Sequence, residues 1–180
     1  MSNKVEHLKS QLFSRDTELI KSATSQLFGE GEADLLVGLL EHEDSSIRNA
    51  IALTFMENEF QEAIEAIFAV IKQAQNRNAR GTLVYALRSL DCSKKLVELF
   101  EILFSSSPNW EVQNGILTIL EEQEFDFTKD ELRQIQSMWE ELKDHWNALN
   151  GIEESNPSKF QISEDIVNDT VKGFTTYLKS

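Results

Sequence analysis

The feature that most constrains this chain is a step that recurs along it, an aliphatic residue followed by a long polar one. It occurs at Ile20-Lys21, Ile47-Arg48, Ala79-Arg80 and Val112-Gln113, with spacings of 27, 32 and 33 residues. Four positions before the polar residue stand Thr17, Asp44, Asn76 and Asn109, all residue types that favour a helix N-cap. Three positions after it stand Thr24, Ile51, Leu83 and Ile116, and seven after it Phe28, Phe55, Leu87 and Leu120. Apolar residues four apart form one buried stripe of a helix, so each register predicts a capped helix with one face turned inward.

A second set of helical patterns alternates with the first. Leu35, Leu36, Leu39 and Leu40 form a short apolar block. Phe60, Ile64, Ile67, Phe68 and Ile71 then share one face, with Asn58 and Gln61 offering a capping-box start. Leu96, Leu99, Phe100 and Leu103 follow, and a longer stripe runs through Leu132, Ile135, Trp139, Leu142, Trp146 and Leu149 behind a capping box at Thr128 and Glu131. Helix pairs that recur about every 30 residues, none able to bury its apolar face alone, predict a helical solenoid. With 7 Gly and 2 Pro in 180 residues, there is little of the punctuation that an all-β chain needs.

The stretch "LVGLLEHEDSSIRNAIALTF" resembles a HEAT repeat: a leucine-rich helix, an acidic turn, then a helix bearing the aliphatic-Arg step. "IKQAQNRNARGTLVYAL" and "LFSSSPNWEVQNGILTIL" repeat the theme, the latter with Gln113 where a basic residue is usual. The resemblance covers roughly residues 14 to 149 and implies an all-α, right-handed α-solenoid of about four HEAT-like helix pairs. The expected organisation is a repeat array over residues 1–149, a loop over 150–161 and a C-terminal capping helix over 162–180, all one domain. A first helix over residues 3–13 is expected to close the other end. Asp44 stands four residues before Arg48, so the pair reads as a surface ion pair worth about 0.2–0.5 kcal/mol.

Charge narrows the classes of partner. The formal net charge is −14, distributed as −6 over residues 1–60, zero over 61–120 and −8 over 121–180. Such a balance argues against nucleic-acid phosphates and anionic membranes, and favours basic proteins. Neither a membrane span nor a signal-peptide core is visible, and Cys92 is the single cysteine, so a cytoplasmic setting is expected. His7, His42 and His145 have no metal-ligand spacing, and Asp91 beside Cys92 discourages a thiolate. No phosphate loop or nucleophile motif is present, so neither an enzyme nor a cofactor or metal is expected. HEAT-like folds include DNA glycosylases, but those need a basic groove.

The densest charge lies in "EEQEFDFTKDE", where Glu121, Glu122, Glu124 and Asp126 are interrupted by Phe125 and Phe127. It reads as a turn between helices, either a solvated loop or an acidic docking surface with aromatic anchors. Trp110, beside the cap Asn109, is a candidate interface anchor. Glu98, Glu101, Glu140 and Asp144 extend the expected contact surface. The resulting expectation is a protein-binding module, monomeric when free. In its specific form it is an inhibitor or immunity protein that occludes the active site of a basic, nuclease-type toxin. The alternative is an adaptor or assembly subunit whose acidity serves solubility.

Overall fold

The computed structural model describes residues 3–152 and 161–179, and among these every regular element is a helix. The chain divides into two compact units, one ending at Leu90 and the other beginning at Asp91. Residues 153–160, which contain most of the loop expected over 150–161, lie outside the described residues.

The first unit holds α1 (Asn3–Gln11), α2 (Thr17–Gly29), α3 (Ala33–Leu39), α4 (Ser45–Glu57), α5 (Ile64–Lys72) and α6 (Gly81–Ala86). Packing runs α1 on α2, α2 on α4 and α4 on α6. The expected stripe is buried: Thr24, Ile51, Phe55, Leu83 and Leu87 are all inaccessible, and Phe28 closes on Phe55 and Phe60 as an aromatic triad. Burying a side chain of this size contributes about 1.5–3 kcal/mol, more than any surface ion pair.

The caps follow the sequence only in part. Asp44 caps α4 by accepting from the Ser46 backbone N–H. Helix α2 is capped by Asp16 instead of Thr17, because the carboxylate reaches two backbone donors, those of Glu18 and Leu19. Asn76 caps no helix N-terminus; it is buried, and its amide donates to the carbonyl of Val70 near the end of α5. Asn58 likewise closes α4 instead of opening α5, donating to the Thr54 carbonyl, and the chain enters α5 through a 3₁₀ turn at Gln61–Ala63. An amide side chain can satisfy either end of a helix, and here the carbonyl end claims both.

Arg48 is also corrected. It is buried, not a surface partner of Asp44; its Nη1 donates to the carbonyls of His42 (2.6 Å) and Glu43 (2.8 Å). Arg80, also buried, donates to the Ile71 carbonyl at the end of α5. Burial and the neighbouring Arg77 draw the Arg80 pKa down, and the guanidinium still stays charged at any ordinary pH. Arg80 thus reaches a carbonyl in the last turn of α5, where a cation is favoured, while Arg48 ties down the turn that leads into α4.

The second unit holds α7 (Leu96–Ser105), α8 (Trp110–Glu122), α9 (Lys129–Leu149), α10 (Glu164–Thr175) and a closing 3₁₀ segment, Thr176–Lys179. Helix α7 packs on α8 and α9, and α10 packs along α9. Asn109 caps α8, and Thr128 with Glu131 forms the expected capping box on α9. The core is aromatic: Phe104 stacks on Trp139 and meets Trp146 edge-on, while Trp139 and Trp146 pack together. Both indole N–H groups are satisfied, by Asn168 Oδ1 and the Ile162 carbonyl. Gln113, in the register position of the arginines, is buried and donates to Asn150 Oδ1 at 2.9 Å. Leu149, the last residue of α9 and a member of its expected stripe, faces solvent instead, as does Ile166 in the first turn of α10.

Candidate functional site

Helix α8 begins well and ends badly for its own electrostatics. Asn109 supplies the N-cap, and Glu111 lies in the first turn, where a negative charge is favoured. The last turn contains Glu121 and Glu122 and no basic residue. The helix dipole places partial negative charge there, so each carboxylate is disfavoured by roughly 0.3–1 kcal/mol in an exposed setting. Glu121 and Glu122 therefore belong to a helix terminus, not to the turn that their sequence context suggests.

Between Glu122 and Lys129 the chain forms no regular element, and its two end residues, Gln123 and Thr128, have extended backbone. Side chains of an extended segment alternate between two sides. Gln123, Phe125 and Phe127 are partly buried, while Glu122, Glu124 and Asp126 are exposed. The inner side is tied down at several points. Gln123 Oε1 accepts from the Cys92 backbone N–H at 2.9 Å, and the Asp126 N–H donates to the Ser93 carbonyl at 2.9 Å. Phe125 and Phe127 both meet the edge of Phe174 on α10, and Phe127 also touches Tyr177. Phe174 reaches Phe100 on its other side. The two phenyl rings thus pack on α10 and remain partly exposed. The strap is pre-organised by backbone and aromatic contacts, and its carboxylates point outward.

The other expected contact residues scatter. Trp110 is the first residue of α8, half-buried, instead of lying in the turn before it. Glu98 is half-buried and pairs with Lys95 at 3.1 Å. Glu101 borders a shallow groove with Phe104, Met138 and Leu142, across from Glu141. Glu140 pairs with Lys143 at 2.5 Å, and that hydrogen bond raises the lysine pKa. Glu140 borders a second groove with Asn168 and Lys172 on α10, while its neighbour Glu141 faces the α7 side. Glu101 and Glu140 therefore lie on opposite sides of α9. Asp144 is exposed farther along that helix. Glu121, Glu122, Glu124 and Asp126 are all exposed and close together in the chain. Sequence reasoning missed Glu141, which faces Glu101, and Asp169, which shares a groove with Glu121.

Cys92 lies beneath the strap, fully buried, and its pKa is pushed up to about 12 by loss of solvent and, secondarily, by Asp91. It is no nucleophile at neutral pH. Asp91 itself is held below the usual carboxylate range by the backbone N–H and hydroxyl of Ser93. His42 Nδ1 accepts from the Asp44 N–H and its ring rests on Phe13; His7 meets Gln11. Among the described residues no group of three His, Cys, Asp or Glu side chains could hold a metal ion, and no helix is long and apolar enough to cross a membrane. No protein-family model matches the chain, and neither a curated protein nor a solved structure does.

Proposed function

We propose that this chain is an acidic protein-binding module that captures a basic protein partner through the strap at residues 121–126. The observation that carries this reading is the division of labour in the strap: Gln123, Phe125 and Phe127 fix the backbone, while Glu122, Glu124 and Asp126 remain exposed. Glu124 and Asp126 follow the two exposed glutamates at the end of α8, so four exposed carboxylates lie within six residues of chain. Glu121 and Glu122 at the end of α8 add to a field that a cation would relieve. In its specific form the reading is an inhibitor, or immunity protein, that covers the phosphate-binding cleft of a nuclease-type toxin. The carboxylates would stand where phosphates stand, and complementary fields would speed association. An adaptor whose acidity serves solubility is the second reading, favoured by the ion pairs that Glu98 and Glu140 already make.

A HEAT-like solenoid belongs to the same proposal. It is supported in the first unit by Arg48 and Arg80, which occupy equivalent register positions and are both buried donors to backbone carbonyls earlier in the chain. The test of function is association kinetics with a basic protein that co-purifies with this chain, assayed for nuclease activity. The wild type is compared with the Glu121→Lys, Glu122→Lys, Glu124→Lys, Asp126→Lys variant across a salt series. The expected result is a rate that falls with salt for the wild type and is largely lost in the variant, with nuclease activity restored. Equal rates for the two proteins at low salt would remove the strap from the interface and favour the adaptor.

A further inference from the structure

Helices α8 and α10 enclose an open groove of about 560 Å³ next to the strap. Leu117 and Leu120 line it from α8, and Ile166 and Phe174 from α10, with Tyr177 of the following 3₁₀ segment. Ile166 and Tyr177 are 46% and 57% exposed, among the most exposed large apolar side chains of the described residues. Leaving such groups in water costs about 25 cal/mol for each Å² that a partner could cover. Its acidic members are Glu121 and Asp169, and no Lys, Arg or His lines it.

Gly173 also lines this groove, inside α10. A glycine within a helix is less favourable than alanine by roughly 0.5–1 kcal/mol. Its φ is negative, and a Cβ built there would meet nothing within 4 Å, so neither backbone nor packing requires a glycine. What the missing side chain does is leave the groove open.

We infer that this groove seats the apolar face of a basic amphipathic helix from a protein partner. The inference rests on the strap being the partner-binding surface. Glu121 is common to both, so a helix with Leu or Phe in the groove would carry its flanking Lys and Arg onto Glu121, Asp169 and the strap. Helices dock into apolar grooves in this way, by anchors three and four residues apart. A second copy of the chain fits worse, because it would bring the same acidic rim against itself at a net charge of −14 per chain.

The probe is a labelled Lys/Leu amphipathic helix about 18 residues long, roughly five turns. It is compared with a Lys/Ser peptide of equal charge and a Glu/Leu peptide of equal apolarity, by fluorescence anisotropy against the full chain. The Lys/Leu peptide is expected to bind, the Lys/Ser peptide at least about tenfold more weakly, and the Glu/Leu peptide not at all. Gly173→Leu, which fills the groove, should weaken Lys/Leu binding at least about tenfold with an unchanged helical spectrum and melting point. Ile166→Ser, at an exposed position, should weaken it in the same sense and serves if Gly173→Leu disturbs the fold. Lys/Ser binding equal to Lys/Leu binding, or full affinity in both variants, would overturn the groove and leave the strap reading standing. Failure of both cationic peptides to bind would overturn the two together. A concentration-dependent dimer that Gly173→Leu abolishes would assign the groove to a second copy and overturn the proposal.

Discussion

Two acidic stretches of this chain look alike in sequence and are built in opposite ways. In "EHEDSSIR", Asp44 is consumed as the cap of α4, and the backbone carbonyls of His42 and Glu43 are consumed by buried Arg48. In "EEQEFDFT" the structural work falls to backbone groups, one glutamine and two phenyl rings, and the carboxylates of Glu122, Glu124 and Asp126 stand exposed. The difference teaches that acid content alone does not mark a binding surface. What matters is whether removing the carboxylate would cost the fold anything.

The largest effect is expected next to the strap, at Cys92, whose thiol is buried beside the backbone N–H that holds Gln123. Its thiol has a folded pKa of about 12 against 9.0 unfolded. Below pH 9 both states carry the proton. Between 9 and 12 only the folded state does, so stability falls as pH rises, by about 4 kcal/mol over the full interval. Urea titrations across that range should show the loss, and Cys92→Ala should flatten its slope. A variant with the same slope would place the alkaline sensitivity elsewhere.

Next in size is Arg48→Ala, which removes two charge-assisted bonds made by a buried guanidinium and should destabilise by about 2–3 kcal/mol. A cost under half a kcal/mol in denaturant unfolding would mean that solvent replaces the arginine, and the contrast between the two stretches would collapse. Asp44→Ala should then cost about 1 kcal/mol, the ordinary worth of a cap. Smallest is Asp126→Ala, expected within about 0.5 kcal/mol of wild type because only the backbone of Asp126 is used. If thermal melts ranked Asp126→Ala above Asp44→Ala, the strap carboxylate would be structural and its assignment to a partner would fail.

Much of the fold was readable in the amino acids, because a buried stripe is a local and repeated pattern. Ile51, Leu83 and Ile116 are buried where their spacing places them, and Asp44, Asn109 and Thr128 cap as their residue types suggest. Asn58 and Asn76 misled, since an amide is as suited to a helix C-terminus as to an N-terminus and only the tertiary surroundings decide. The acids at 121–126 were visible as a cluster, but not their presentation. The path of the strap depends on Cys92 and Ser93, some thirty positions earlier, and on Phe174, nearly fifty later. The α8–α10 groove was unreadable for the same reason: Ile166 follows the helical stripe in spacing, and only the packing of α10 leaves it outside.

The two-residue alternation of the strap has a consequence for how this stretch can vary. Between Gln123 and Thr128, any polar residue can replace an outward carboxylate without touching the interior. Length is not so free. Inserting or deleting a single residue would turn every later side chain to the opposite side, directing Asp126 at the aromatic cluster and Phe125 into water. A change of two residues would preserve the alternation. The strap is therefore tolerant in composition and strict in parity, and among engineered variants an even change in length should fold where an odd one fails.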